Sequence, residues 1–220
     1  MSKYVGSEAA PGMGFEAMPS GIFHFPVGRS STTPVIIVGC SRGGTSLVSA
    51  MFRAVGFDMG QRLAENYEDP VFHNCFYPNF QPSKFEDRFR TRTPKHWGFK
   101  LPKAALFLNE IDGCVSDLRP YYVVVYRNSF EAAIGEFKRG GNFANSLHYS
   151  NVFYGKMSQF LHAKLGSVNM IVLNYSNVAN NTLAVASDIC NIFDIGWTDL
   201  IEKDVIGCNS GEGGGYINVV

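Results

Sequence analysis

The chain has 220 residues, and its 19 Lys and Arg balance 19 Asp and Glu, so the formal net charge is zero. Hydrophobic residues make up 45% and charged residues 17%, as in a globular protein with room for one large α/β domain. The chain lacks the basic excess of a nucleic-acid-binding protein, so we expect no nucleic-acid partner. No apolar run reaches the roughly 18 residues of a membrane span, so we expect no membrane insertion.

The N-terminus and the cysteines predict a cytoplasmic protein. The chain does not open with a basic segment followed by an apolar one, as a secretory signal would. The five cysteines are dispersed without a C-x-x-C pair, which indicates reduced thiols and no zinc site. Residues 1–33 are rich in Gly, Pro, Ser and Met, and we interpret them as an extended leader packed at one end through Phe23 and Phe25. Residues 34–220 are predicted to form a single domain.

A buried strand at 35–38 runs into a glycine-rich turn, and an apolar helix follows at 45–55. Such a turn directs successive backbone N–H groups at one point, and the helix N-terminus adds partial positive charge. The segment therefore predicts a phosphate-binding loop. Residues 57–96 are polar, aromatic and interrupted by proline, which predicts a long irregular segment that acts as a lid or binding loop.

The rest of the chain alternates strands with helices. The predicted strands are 96–102, 121–126 and 170–173, and the predicted helices are 104–118, 128–139, 149–165 and 182–193. This alternation predicts an α/β domain of three layers, with a mostly parallel central sheet and helices on both faces.

Ligands of an open parallel sheet lie at the carboxyl ends of its strands. Three cations are expected there, namely Arg42, Lys100 and Arg127, and together they would neutralise a multiply charged anion. Thr45 stands where a Walker loop has its lysine, and the apolar strand ends in Arg127 rather than in an acid that could hold Mg²⁺. Both features disfavour metal-dependent phosphoryl transfer.

The loop at 39–47 reads GCSRGGTSL, which resembles the 5′-phosphosulfate loop G-x-P-R-S-G-T-[ST]-x-L of the sulfotransferases that use 3′-phosphoadenosine 5′-phosphosulfate (PAPS). Ser41 replaces the usual proline and Gly43 the usual serine. The strand that ends in Arg127 is similar to the family's second element, where an arginine and a later serine hold the 3′-phosphate. Gly135 stands where that serine is expected, and Ser129 is an alternative.

Two further segments support the resemblance, which spans roughly residues 34–216. The stretch 97–102, with Lys100, is similar to the family's lysine-containing strand. The glycine-rich tail near Gly215 and Tyr216 is similar to the loop that covers the nucleotide, although it lacks that loop's basic residues.

The resemblance implies a P-loop sulfotransferase fold and metal-independent, in-line transfer of a sulfuryl group from PAPS to a hydroxyl or amine. Arg42 and Lys100 would stabilise the leaving phosphate. The acceptor, whether a small molecule, a saccharide or a peptide, stays open, as does the oligomeric state. The nucleotide-binding residues would be Ser41, Arg42, Gly43, Gly44, Thr45, Ser46, Arg127, Gly215 and Tyr216.

An acceptor must lose a proton, so a general base is expected. Many cytosolic members have a histidine just after the lysine, but Leu101 follows Lys100 here. Other members use a carboxylate in the loop after the first helix. We take Glu68 as the candidate, and Glu65, Asp69 and His73 remain alternatives.

Two other functions remain open from the sequence. A nucleotide-dependent kinase of the same fold would bind ATP with Mg²⁺. A degenerate, non-catalytic member would bind an acceptor or a partner protein, in keeping with the glycine at 135 and the non-basic tail. The aromatic residues of segment 57–96 either line an acceptor pocket or form the core of that segment; they are Phe72, Phe76, Tyr77 and Phe80.

Overall fold

A six-stranded sheet forms the centre of the computed structural model, which describes residues 16–28, 32–60 and 66–210. The strand order is β1-β2-β6-β5-β3-β4, with β3 to β6 parallel and β1 and β2 antiparallel at one edge. This arrangement confirms the mostly parallel sheet. The strands are β1 Glu16–Ala17, β2 Phe23–Phe25, β3 Thr33–Gly39, β4 His96–Lys100, β5 Tyr121–Tyr126 and β6 Asn169–Asn174.

Helices cover both faces of the sheet, which confirms the three-layer architecture. They are α1 Thr45–Ala54, α2 Pro70–Phe76, α3 Pro82–Arg90, α4 Leu108–Val115, α5 Ser129–Phe137, α6 Phe143–Lys164, α7 Tyr175–Asn180, α8 Thr182–Phe193 and α9 Asp199–Ser210, with 3₁₀ turns at Pro102–Phe107 and Ser116–Leu118. None of the helices in the described ranges is long and apolar enough to cross a membrane.

The hydrophobic core has two parts because successive side chains of a strand point to opposite faces. Val35 and Ile37 of β3 belong to the part that contains α1 and α8. Ile36 and Val38 belong to the other part, which contains α2, α3, α4 and α6. The central strands are thus buried on both sides, as their continuous apolar sequences indicate.

The segment 57–96 is more regular than the sequence suggested, and the prediction of a long irregular stretch is wrong for residues 70–90, which contain two helices. Helices α2 and α3 begin at Pro70 and Pro82. Proline is tolerated in the first turn of a helix because its missing N–H would have no partner there. Phe72 and Phe76 are buried in the core, whereas Tyr77 is 44% exposed.

Other elements also differ from the prediction. The predicted helix 104–118 is a 3₁₀ turn followed by α4, and α7 and α9 were not predicted. Helix α6 begins at Phe143, not near 149, because the Asn142 side chain accepts a hydrogen bond from Asn145 N and caps the helix. The predicted leader contributes β1 and β2. Phe25 packs against the core, but Phe23 is 47% exposed, so the predicted packing through Phe23 is wrong. The leader assignment for residues 1–33 otherwise stays a prediction.

The parallel register brings the carboxyl ends of the strands to one edge of the sheet. Gly39 of β3 pairs with Val125 of β5, and Tyr126 of β5 pairs with Asn174 of β6. Lys100, the last residue of β4, pairs with Ile37. The segments that follow these strands therefore meet, and they carry the predicted site.

Candidate active site

The loop between β3 and α1 has the backbone shape of an anion cradle. Arg42 and Gly44 both have positive φ angles, 58° and 89°. The Gly43 N–H donates to the Cys40 carbonyl oxygen over 3.0 Å, and a Cβ on Gly43 would lie 2.8 Å from that oxygen. A Cβ on Gly44 would collide with the Tyr175 ring. Glycine is therefore required at both positions for the loop to close this tightly.

The loop leads into the N-terminus of α1, where Gly44 is the N-cap and supplies no side-chain hydrogen bond. The first N–H groups of an α-helix have no partner within the helix, and the helix dipole makes this end positive. Thr45 is buried, and the Ser46 hydroxyl donates to the Asn66 carbonyl oxygen over 3.0 Å. The amides of this first turn thus provide the donors that a phosphate group needs.

The Arg42 side chain turns from the loop toward α5. Its Nε donates to Glu136 Oε2 over 3.0 Å, and both side chains are partly exposed. Gly135 lies against the same arginine: a Cβ there would be 3.7 Å from Arg42 Cβ, an ordinary contact. The position at which the resemblance expects a serine therefore faces Arg42.

Arg127 lies beside the loop, as the sequence predicted. Its Nη1 donates to the Arg42 carbonyl oxygen over 3.1 Å, and its guanidinium lies over the Tyr175 ring at 4.5 Å. Its Nε also contacts Glu131 Oε2 at 3.3 Å. Asn128 caps α5, since its Oδ1 accepts hydrogen bonds from Phe130 N and Glu131 N, and the Glu131 side chain pairs with Arg127.

Lys100 and Glu68 form an ion pair beneath the same edge, with 3.2 Å between Nζ and Oε1. The Lys100 side chain is only 2% exposed, and Glu68 is 15% exposed. Burial lowers the pKa of Lys100, the charge of Glu68 opposes that shift, and the charge of Arg42 lowers the pKa further. The structure therefore pairs two of the three predicted catalytic residues, Lys100 and Glu68, and the third, Arg42, is near enough for its charge to affect the pKa of Lys100.

The alternatives to Glu68 have other surroundings. Asp69 is buried at the N-cap of α2, where Oδ1 accepts from Val71 N over 2.9 Å, and Arg92 lies 3.5 Å from its Oδ2. Burial raises the pKa of Asp69. His73 stacks on Tyr77 with 4.1 Å between ring centroids. Glu65 lies outside the described residues.

The remaining predicted residues have simpler positions. Ser41 is exposed in the loop, and Ser129 is the partly exposed first residue of α5, two residues after Arg127. Gly215 and Tyr216 lie outside the described residues. Their assignments to the nucleotide site stay predictions.

Sequence reasoning missed three side chains at this edge. Tyr175 could have been found, because it lies two residues after the end of a predicted strand. Glu136 and Tyr154 gave no signal, since each looks like an ordinary residue of a helix. The Tyr154 hydroxyl lies 2.9 Å from Cys40 Sγ and accepts a hydrogen bond from Arg127 N over 3.1 Å.

Comparisons with known proteins support the fold. The mouse sulfotransferase SULT7A1, solved in complex with PAP, is 13% identical with a TM-score of 0.57, and the match covers 90% of this chain and 76% of that one. Sulfotransferase STF9 from Mycobacterium avium is 9% identical with a TM-score of 0.54, and the match covers 82% and 68%.

A third similar structure is the sulfotransferase domain of the Synechococcus PCC 7002 olefin synthase. It is 12% identical with a TM-score of 0.51, and the match covers 81% of this chain and 79% of that one. No protein-family model and no curated protein sequence matched the chain. The chain therefore has the P-loop-type α/β fold of solved sulfotransferases.

Proposed function

We propose that the protein is a sulfotransferase that moves a sulfuryl group from PAPS to the hydroxyl or amine of an acceptor. The observation that carries this proposal is the meeting of Arg42, Lys100 and Arg127 at one sheet edge, beside an α1 N-terminus that lacks a side-chain cap. The PAP bound to the mouse sulfotransferase supports the choice of nucleotide.

The glycine cradle and the first turn of α1 would hold the 5′-phosphate of the nucleotide. The requirement for glycine at 43 and 44 supports this role, because a side chain at either position would disrupt the turn that orients the amides. Arg127 would bind the 3′-phosphate, and its contact with the Arg42 carbonyl already fixes it beside the loop. Ser41, Thr45 and Ser46 would add contacts from the loop.

In the transfer step, the acceptor oxygen or nitrogen attacks sulfur and the bond between sulfur and the bridging oxygen of the 5′-phosphate breaks. Arg42 and Lys100 stabilise the negative charge that develops on the departing phosphate. Glu68 accepts the acceptor proton, and its charge also favours the protonated form of buried Lys100. No step in this account requires a metal ion.

A turnover assay tests the proposal. The protein is incubated with PAPS and a panel of small-molecule, saccharide and peptide acceptors, and released PAP is measured in EDTA and in Mg²⁺. We expect release that depends on acceptor and not on Mg²⁺, and in Glu68→Gln a fall of about 10²–10⁴-fold in kcat with PAPS binding retained. Near-normal turnover of Glu68→Gln would exclude Glu68 as the base, and Mg²⁺-dependent use of ATP would favour a kinase.

One observation favours the non-catalytic alternative. Helix α5 pairs a carboxylate with each arginine, Glu136 with Arg42 and Glu131 with Arg127, and it has Gly135 where a phosphate-binding serine is expected. A degenerate binding module would bind PAP weakly and release none from PAPS with any acceptor.

A further inference from the structure

The Tyr154 hydroxyl lies between the two anion-binding elements of the site. It accepts a hydrogen bond from the Arg127 backbone N–H over 3.1 Å, at the end of β5. It also lies 2.9 Å from Cys40 Sγ, at the start of the loop after β3. A phenol hydroxyl has one proton and two acceptor sites, so it can make both contacts at once.

These contacts close a ring of interactions around the loop. From Cys40 the ring passes through the Tyr154 hydroxyl to the Arg127 backbone. The Arg127 side chain then returns to the loop, where its Nη1 donates to the Arg42 carbonyl oxygen over 3.1 Å. The position of Arg127 relative to the loop is therefore fixed by two contacts, one through its backbone N–H to Tyr154 and one through its side chain to the Arg42 carbonyl.

We propose that Tyr154 is a positioning residue for nucleotide binding, which holds the phosphate loop and the end of β5 at the separation that the two phosphates of the nucleotide require. This inference rests on the proposed function. Binding groups that are fixed before the ligand arrives lose less conformational freedom on binding, so a preorganised site has a higher affinity.

A role in proton transfer does not explain this arrangement. Burial raises the pKa of Tyr154 and that of Cys40, so the phenol and the thiol both stay protonated at neutral pH. The Tyr154 ring also stacks on Tyr126, with 5.4 Å between centroids, so the hydroxyl is held in place by its own helix and by β5.

The chain supplies a matched control for the test. The Tyr126 hydroxyl contacts Ser158 Oγ at 3.2 Å and so also joins β5 to α6, but the structure gives it no contact with the loop. Tyr154→Phe and Tyr126→Phe each remove one hydroxyl between the same two elements. A purely structural role predicts equal effects of the two changes on nucleotide affinity.

The test is calorimetric titration of the full chain with PAP, alongside thermal unfolding. We expect about tenfold weaker binding in Tyr154→Phe and unchanged binding in Tyr126→Phe, with similar melting temperatures for the two. With PAPS and an active acceptor, the loss in Tyr154→Phe should appear in KM more than in kcat. Equal affinity of Tyr154→Phe and the unaltered chain would overturn the inference.

A second variant covers the case in which Tyr154→Phe fails to fold. Cys40→Ala removes the other end of the contact and should weaken PAP binding by a similar factor. The double variant should lose less affinity than the sum of the two single losses, because both changes remove the contact between Cys40 and Tyr154. Fully additive losses would overturn the inference.

Absence of PAP binding in the unaltered chain would instead contradict the proposed function, so the two failures are distinguishable.

Discussion

Arg127 donates a hydrogen bond from Nη1 to the carbonyl oxygen of Arg42 over 3.1 Å. The two arginines are 85 residues apart in the chain and come from different strand ends. Their contact makes one site out of the loop after β3 and the end of β5. Because the contact uses the backbone carbonyl of Arg42, the Arg42 side chain can bind Glu136 of α5 at the same time.

Glu136 pairs with Arg42, so we expect its carboxylate to compete with a bound phosphate for that arginine and to repel the phosphate. We predict that Glu136→Gln binds PAP about two- to fivefold more tightly, in line with the modest strength of partly exposed ion pairs. Titration calorimetry at low salt measures the change, and Glu110→Gln, at an exposed position of α4, serves as the control. Weaker PAP binding by Glu136→Gln would mean that the carboxylate orients Arg42 productively.

The substitution Gly135→Ser introduces the serine that the sulfotransferase resemblance expects at this position. A Cβ at this position makes only ordinary contacts, 3.7 and 3.8 Å from atoms of Arg42. We predict that Gly135→Ser increases affinity for PAP about threefold or more, while affinity for adenosine 5′-monophosphate, which lacks the 3′-phosphate, stays unchanged. Gly135→Ala controls for the higher helix propensity of both replacements. An equal gain for both nucleotides would argue against a 3′-phosphate contact here.

Gly44 is the position of the loop that tolerates a side chain least. Its φ of 89° and the adjacent Tyr175 ring both oppose a Cβ. We predict that Gly44→Ala lowers the free energy of unfolding by about 1–3 kcal/mol and abolishes PAP binding. In contrast, Gly113→Ala in α4, where a Cβ would meet nothing within 4 Å, should stabilise the protein by up to about 1 kcal/mol. Urea unfolding measures both effects, and a stable Gly44→Ala that binds PAP would contradict the account of the loop.

The buried ammonium of Lys100 predicts a pH dependence of stability. Burial lowers the pKa of Lys100 in the folded protein relative to 10.5 in the unfolded chain. At pH values between the lowered pKa of the folded state and 10.5, Lys100 binds more protons in the unfolded state. The free energy of unfolding therefore rises with pH in this range. We predict that the rise is present in the unaltered chain and absent in Lys100→Met. Parallel pH profiles of the two proteins, measured by urea unfolding, would show that Lys100 titrates normally.

The central sheet could be predicted from the sequence because β3 and β5 are continuous apolar strands. The loop after β3 could be predicted because its glycines admit few conformations. It also located Arg42, Lys100 and Arg127, since the carboxyl ends of parallel strands must meet. Helices α2 and α3 were missed because their first-turn prolines look like helix breakers. Tyr154 could not be predicted, since its role depends on how α6 packs over the loop.

Titration calorimetry with PAP tests the central claim most directly. The protein is titrated with PAP in EDTA, then in Mg²⁺, and with ATP under both conditions, alongside Arg42→Ala and the control Arg88→Ala at an exposed position of α3. The account predicts micromolar binding of PAP that is independent of metal, lost in Arg42→Ala and retained in Arg88→Ala. Binding of ATP only in Mg²⁺, with no binding of PAP, would contradict it.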